Sequence, residues 1–236
     1  MANALFEKTV KIFDLIMETK PTIYVLAGAN GIGKTSVNPF FIPKGVTYIN
    51  ADDIARQLRE RLGDMNVQEL ANAEAIDRMN GFIAKRQSFA IETNLADMET
   101  WQFLIGIQGM GYLVHLNFFS ISDVEVCINR VHNRVLQGGH FVRPDIVKMR
   151  YEVGLKLLKR FKMIPNRLIL TDNEAESVLC VELVNGEIVF EKDILPDWVN
   201  FVLAEDSTDK INFTNIEDVR EKYRRMKKGS EGGPSV

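Results

Sequence analysis

Apolar residues recur along the chain with two alternating periods. Leu5, Phe6, Val10, Phe13, Ile16 and Met17 fall at helical spacing, so the first twenty residues predict an amphipathic helix that Pro21 ends. The next segment, TIYVLAG from Thr22, is a short, solid, β-branched run, the pattern of a strand buried on both faces. Similar runs follow at VTYIN (46–50), SFAIET (88–93), YLVHLNFF (112–119) and RLILTDN (167–173). Helical patterns separate them: a short one that Pro39 cuts off, one marked by Ile54, Ala55, Leu58 and Leu62, and a longer one over 67–86. Others run from Met98 to Met110 and from a Ser122 cap to Leu136. Gly138-Gly139 breaks the last of these, and Pro144 restarts a helix that continues to Phe161. Further on, Asn185-Gly186 lies between two β-like runs and predicts a hairpin. A helix around Pro196 to Ala204 follows, and the closing KKGSEGGPSV has no residues with which to pack and predicts disorder.

Solid apolar strands alternating with helices predict an α/β fold whose parallel sheet is covered on both faces. The expected architecture is a three-layer sandwich with a five-stranded parallel sheet in the order 2-3-1-4-5 and an appended C-terminal β-hairpin. The domain reading is an N-terminal helix over 1–20, a main domain over 21–205 with a lid near 130–151, and a C-terminal extension over 206–236. In such sheets ligands bind at the carboxyl ends of the strands.

Charge and cysteine usage narrow the partners. With 29 Lys and Arg against 32 Asp and Glu, the net charge of −3 gives no electrostatic reason to expect nucleic acid or a membrane surface. The two cysteines, Cys127 and Cys180, each sit in an apolar run and predict reduced, buried thiols. The first residues carry acids and lysines throughout, and no run approaches the ~20 apolar residues of a membrane span. The expected compartment is the cytoplasm.

The chemistry begins at GANGIGKT, which joins the first strand to a helix and matches G-x-x-x-x-G-K-[ST]. Backbone N–H groups of such a loop converge on phosphate oxygens, aided by the helix N-terminus. The expected nucleotide contacts are Gly28, Ala29, Asn30, Gly31, Ile32, Gly33, Lys34, Thr35 and Ser36, with Lys34 reaching the β- and γ-phosphates and Thr35 ligating Mg²⁺. The fourth strand ends in Phe119-Ser120 without the aspartate that many ATPases use for Mg²⁺, and no guanine-reading Asn-Lys-x-Asp occurs. Acids stand instead after the second and third strands. Asp52 can take a proton from an acceptor hydroxyl, or be a first-turn helix acid like Asp53. Glu92 can contact an acceptor or act as a metal group at a strand end. Arg130, Arg134, Arg143 and Arg150 surround the Gly-Gly break, which suits a lid that stabilises charge on a transferring phosphoryl. His140 can bind phosphate or shape the turn, and His115, in mid-strand, is expected to be a satisfied core residue.

GANGIGKT, YINADDIA, SFAIETNL, RVHNRVLQGGHFV and TDN occur in that order over Thr22–Asn173, and in this the chain resembles the zeta-toxin-like P-loop kinases. The resemblance implies transfer of the γ-phosphoryl of ATP or GTP, with Mg²⁺, to a hydroxyl of UDP-N-acetylglucosamine or a related sugar nucleotide. It implies Asp52 as general base, Glu92 and Thr93 as acceptor contacts, and Arg134 with Arg143 or Arg150 as the lid arginines. An antitoxin protein is an implied partner. Two rivals remain open at this stage: a nucleotide-dependent switch or ATPase acting on a protein, and a toxin held inactive by its antitoxin. The chain departs from the family at Asn94 and at Arg143, which separates Val142 from Pro144.

Overall fold

The computed structural model describes residues 20–35, 41–63, 67–136, 139, 141–205, 216, 218, 220 and 221. The expected N-terminal helix, Pro39, Ser36, Gly138, His140 and the polar C-terminal end lie outside them.

Seven strands form one mixed sheet in the order β2-β3-β1-β4-β5-β6-β7. They are β1 (Thr22–Ala27), β2 (Thr47–Ile49), β3 (Phe89–Thr93), β4 (Leu113–Ser120), β5 (Arg167–Asp172), β6 (Val178–Val184) and β7 (Glu187–Glu191). The first five run parallel, with β1 at the centre between β3 and β4. β6 and β7 extend the β5 edge as antiparallel strands. The turn joining them carries Asn185 and Gly186 at φ 51° and 84°, the left-handed pair that a tight hairpin requires.

The helices are α1 (Ala51–Leu62), α2 (Val67–Ala84), α3 (Met98–Gly109), α4 (Val124–Leu136), α5 (Pro144–Phe161) and α6 (Asp197–Leu203). Successive side chains of a strand point to opposite faces, so Val25 and Phe118 enter one core while their neighbours Leu26 and Phe119 enter another. The larger core gathers Trp101 of α3, Leu155 and Leu158 of α5, and Trp198 of α6. The smaller one packs Cys127 and Val131 of α4 and Val147 of α5 against Ile32. Both cysteines are free and buried. Among the described residues, no helix is long and apolar enough to cross a membrane.

Two local expectations need correction. The α4 N-terminus is capped by Asp123, whose carboxylate accepts from Glu125 N at 2.9 Å, and not by Ser122. His115 is no satisfied core residue: its Nε2 is buried without a hydrogen-bond partner, and its ring meets Tyr24 edge-on at 5.4 Å. Burial, with the Arg167 charge nearby, lowers its pKa to about 4. Ile216 is buried in the larger core, and Arg220 donates to Gln108 Oε1 at 2.8 Å.

Candidate active site

The parallel strands deliver their carboxyl ends to one edge, and the loop after β1 is clamped there. A Cβ on Gly28 (φ 138°) would stand 2.3 Å from the carbonyl oxygen of Phe119 in β4. One on Gly31 (φ 80°) would stand 2.3 Å from the carbonyl oxygen of Cys127 in α4. Only glycine permits both this approach and this backbone. Ile32 anchors the loop from below by burying its side chain completely. From the β5 side, the Asn173 amide donates to the Ile32 carbonyl while its own N–H holds Ser120 O at 2.9 Å. Helix begins at Lys34 and Thr35.

Lys34 is 6% exposed, and its Nζ donates to Gly28 O at 2.7 Å and Ala29 O at 3.1 Å. Burial lowers its pKa, opposed by the charges of Glu92, whose Oε1 lies 3.8 Å away, and of Asp52. The amine is thus held at the loop's centre by oxygens on every side.

Glu92 is the hub of the opposite wall. Its Oε2 accepts from Thr35 Oγ1 at 3.1 Å, from Asn50 Nδ2 at 3.3 Å and from the Tyr48 hydroxyl. The next residue, Thr93, accepts from Leu95 N at 3.0 Å and so fixes a turn in which Leu95 adopts φ 54°. A fully buried leucine in that region is uncommon, and such strain collects at functional sites. A Mg²⁺ fits this neighbourhood: the Thr35 hydroxyl and Glu92 carboxylate are adjacent hard oxygen donors, and Mg²⁺ needs only one or two protein ligands beside phosphates and water. No cluster of three His, Cys, Asp or Glu suited to a metal occurs among the described residues.

Asn50 caps α1, accepting from Asp52 N at 2.9 Å, and this sets the two acids that follow. Asp53 stands in the first turn of α1, as expected. It pairs with the exposed Arg56 at 3.0 Å. Asp52 faces the space beside Lys34.

That space comprises two adjoining cavities. The first, about 450 Å³, is lined by the glycine-rich loop, Thr35, Arg56, Arg59, Arg130, Arg134 and Gly139. The second, about 550 Å³, is lined by Gln68, Asn72, Thr93, Asn94, Asp97, Thr100, Val142 and Arg150. Asn30, Lys34, Asn50, Asp52 and Glu92 line both and form their boundary.

The arginines separate by position. Arg134 lies on the last turn of α4, where Gly139 N returns to its carbonyl at 2.9 Å and a Cβ on Gly139 would overlap its side chain. Arg150 reaches from α5 to Asn30 of the loop, donating to Oδ1 at 2.7 Å. Arg143, at the α5 N-cap, turns away: its guanidinium forks onto Asp145, and it lines neither cavity. Arg130 binds the carbonyls of Asn173 and Glu174. Of the residues expected from sequence, Lys34, Thr35, Asp52, Glu92, Thr93, Arg134 and Arg150 therefore converge and Arg143 does not. Sequence reasoning missed Tyr48 and Asn50 as supports of Glu92, and also Gln68, Asn72, Asp97 and Thr100. The only signal for Gln68 and Asn72 was a polar pair four residues apart, flanking the buried Ala71.

No family model matches the chain. An uncharacterised protein of Haemophilus influenzae is 33% identical over 139 residues, which span 58% of this chain and 95% of that one. The chain belongs to the same family as that protein. Among solved structures, the AvrRxo1-ORF1:AvrRxo1-ORF2 complex with sulphate ions is similar at a TM-score of 0.60 and 17% identity, over 87% of this chain and 75% of that one. AvrRxo1-ORF1:-ORF2 with ATP is similar at 0.54 and 15%, over 87% and 75%. The PezAT toxin-antitoxin system of Streptococcus pneumoniae is similar at 0.50 and 13%, over 88% and 87%.

Proposed function

We propose, for a chain whose fold is that of the zeta-toxin-like P-loop kinases, that it transfers the γ-phosphoryl group of ATP to a hydroxyl of a small molecule. One observation carries this reading. A phosphate-binding loop and a second, larger cavity meet at a boundary formed by Lys34, Asp52 and Glu92. An ATPase needs room only for water beyond the γ-phosphate, whereas about 550 Å³ there suits a small-molecule acceptor.

In this mechanism the loop amides and Lys34 hold the β- and γ-phosphates. Thr35, with Glu92 beside it, would hold Mg²⁺, whose charge offsets that of the phosphates when bound. Arg150 and Arg134, on either side of the loop, stabilise charge on the transferring group. Asp52 accepts the proton of the attacking hydroxyl, and Thr93 helps to orient the acceptor. The resemblance implies UDP-N-acetylglucosamine or a related sugar nucleotide as the acceptor, a finer reading that the lining of the second cavity argues against. Two of the similar structures were solved as a complex or a toxin-antitoxin system, which supports a companion protein as a further partner here.

The test is a pair of substitutions. Asp52→Asn should keep its fold and its ATP affinity but lose about 10²–10⁴ in single-turnover rate, the usual cost of removing a general base. Asp53→Asn should stay within a few-fold of wild type, because its carboxylate pairs with Arg56 at the donor-side cavity and does not line the acceptor side. An active Asp52→Asn would overturn the assignment.

A further inference from the structure

Resting on that kinase reading, we propose that the acceptor is a hydroxyl-rich molecule without phosphate groups, a sugar or cyclic polyol, neutral or amine-bearing, and not a nucleotide derivative. Three features of the acceptor-side cavity carry this.

The first is charge. Among the described lining residues, Asp52, Glu92 and Asp97 face two cations, Lys34 and Arg150. Both cations are directed to the donor loop, Lys34 through Gly28 O and Ala29 O and Arg150 through Asn30. A diphosphate bridge would bring two further negative charges beside three carboxylates, and the described lining residues offer no cation beyond those two to receive them.

The second concerns helix N-termini, the other common anion sites. Apart from that of the phosphate loop's own helix, two open into this cavity among the described residues, and both are closed by the chain's own side chains. Asn50 accepts from Asp52 N at the start of α1, and Asp97 accepts from Thr100 N at 2.7 Å at the start of α3. Acids also occupy both first turns, Asp52 and Asp53 in α1 and Glu99 in α3. An incoming phosphate would meet negative charge where free N–H groups should be.

The third is the composition of the wall. Side-chain amides of Gln68, Asn72 and Asn94 and hydroxyls of Thr93 and Thr100 supply donors and acceptors side by side. Vicinal hydroxyls, each both donor and acceptor, match such a surface. Apolar lining is confined to Ala51 and Val142, and no aromatic ring is present among the described lining residues on which a nucleobase could stack.

The experiment divides a bacterial small-molecule extract on an anion-exchange resin into a flow-through without phosphate esters and a retained fraction that holds the nucleotides. Each is incubated with the full chain, Mg²⁺ and ATP labelled on its γ-phosphate. The label should pass to a compound of the flow-through. Label entering only compounds of the retained fraction would overturn this inference while leaving the kinase reading intact. Label entering neither would remove the kinase reading, and this inference with it. With the flow-through acceptor, Gln68→Ala and Asn72→Ala should each raise the acceptor KM about 5–10-fold, the loss of one hydrogen bond, and leave the KM for ATP unchanged. An acceptor KM unmoved in both variants would show that the substrate does not occupy this cavity.

Discussion

Arg143 and Arg150 are seven residues apart and chemically identical, yet the structure predicts opposite consequences for their loss. Arg150 donates to Asn30 Oδ1 at 2.7 Å from a partly buried position, with its remaining guanidinium donors available beside the phosphate loop. A charge acting on the transferring phosphoryl group is worth ~10³ or more in kcat. The hydrogen bond to the neutral Asn30 is lost as well, at a cost of about 1–3 kcal/mol in stability. Arg150→Ala should therefore lower kcat about 10³-fold and nucleotide affinity far less. Arg150→Lys should recover only part of the loss, because an ammonium lacks the planar fork. Arg143 and its partner Asp145 are 69% and 58% exposed, so their ion pair is screened by solvent and contributes about 0–1 kcal/mol. Arg143→Ala should keep kcat within a few-fold and melt close to wild type. Single-turnover rates at saturating ATP, beside melting temperatures, measure both quantities. A collapse of kcat in Arg143→Ala with Arg150→Ala active would refute the placement of the catalytic charge on Arg150.

Two further predictions follow from the fold. Gly31→Ala should cost about 1–2 kcal/mol from its positive φ alone, more from the overlap with Cys127 O, and should abolish nucleotide binding. Gly63→Ala, also at positive φ but with open space around it, should cost only the backbone share and bind ATP normally; equal losses in urea titrations of the two variants would contradict the packing argument. For His115, the unfolded chain binds its proton below about pH 6.5 and the native one only below about 4, so stability is fully present above pH 6.5 and falls as pH drops towards 4. The full difference is ~3 kcal/mol, and His115→Gln should flatten that limb of the urea-unfolding profile; an unchanged slope would mean that another group titrates there.

The phosphate loop was legible because its chemistry is local. GANGIGKT fixes backbone, cation and hydroxyl within eight residues, and its place between a strand and a helix follows from pattern alone. Glu92 was legible for a related reason: it stands at the carboxyl end of β3, on the edge where ligands bind. Whether it served metal or acceptor was not, because its bonds come from Thr35, Tyr48 and Asn50, on other segments of the chain. The acceptor cavity was hidden more deeply. Its wall joins α1, α2, the β3–α3 turn, the start of α3 and α5, elements brought together only by the sheet. The choice between the α5 arginines depended on Asp145 capturing Arg143, a contact between exposed side chains that spacing does not encode. Ile216, which reaches the core, was passed over although Phe213, Ile216, Val219 and Tyr223 recur at helical spacing in the sequence.

The central claim, phosphoryl transfer to a hydroxyl acceptor and not to water, is tested most directly by following the γ-phosphate of labelled ATP in the presence of small-molecule extract. The account predicts that label appears as a phosphate monoester on a small molecule, in step with ADP. It also predicts that Lys34→Ala, with its melting temperature unchanged, removes that product. Label released only as inorganic phosphate, at a rate indifferent to any added metabolite, would contradict it, as would undiminished transfer by Lys34→Ala.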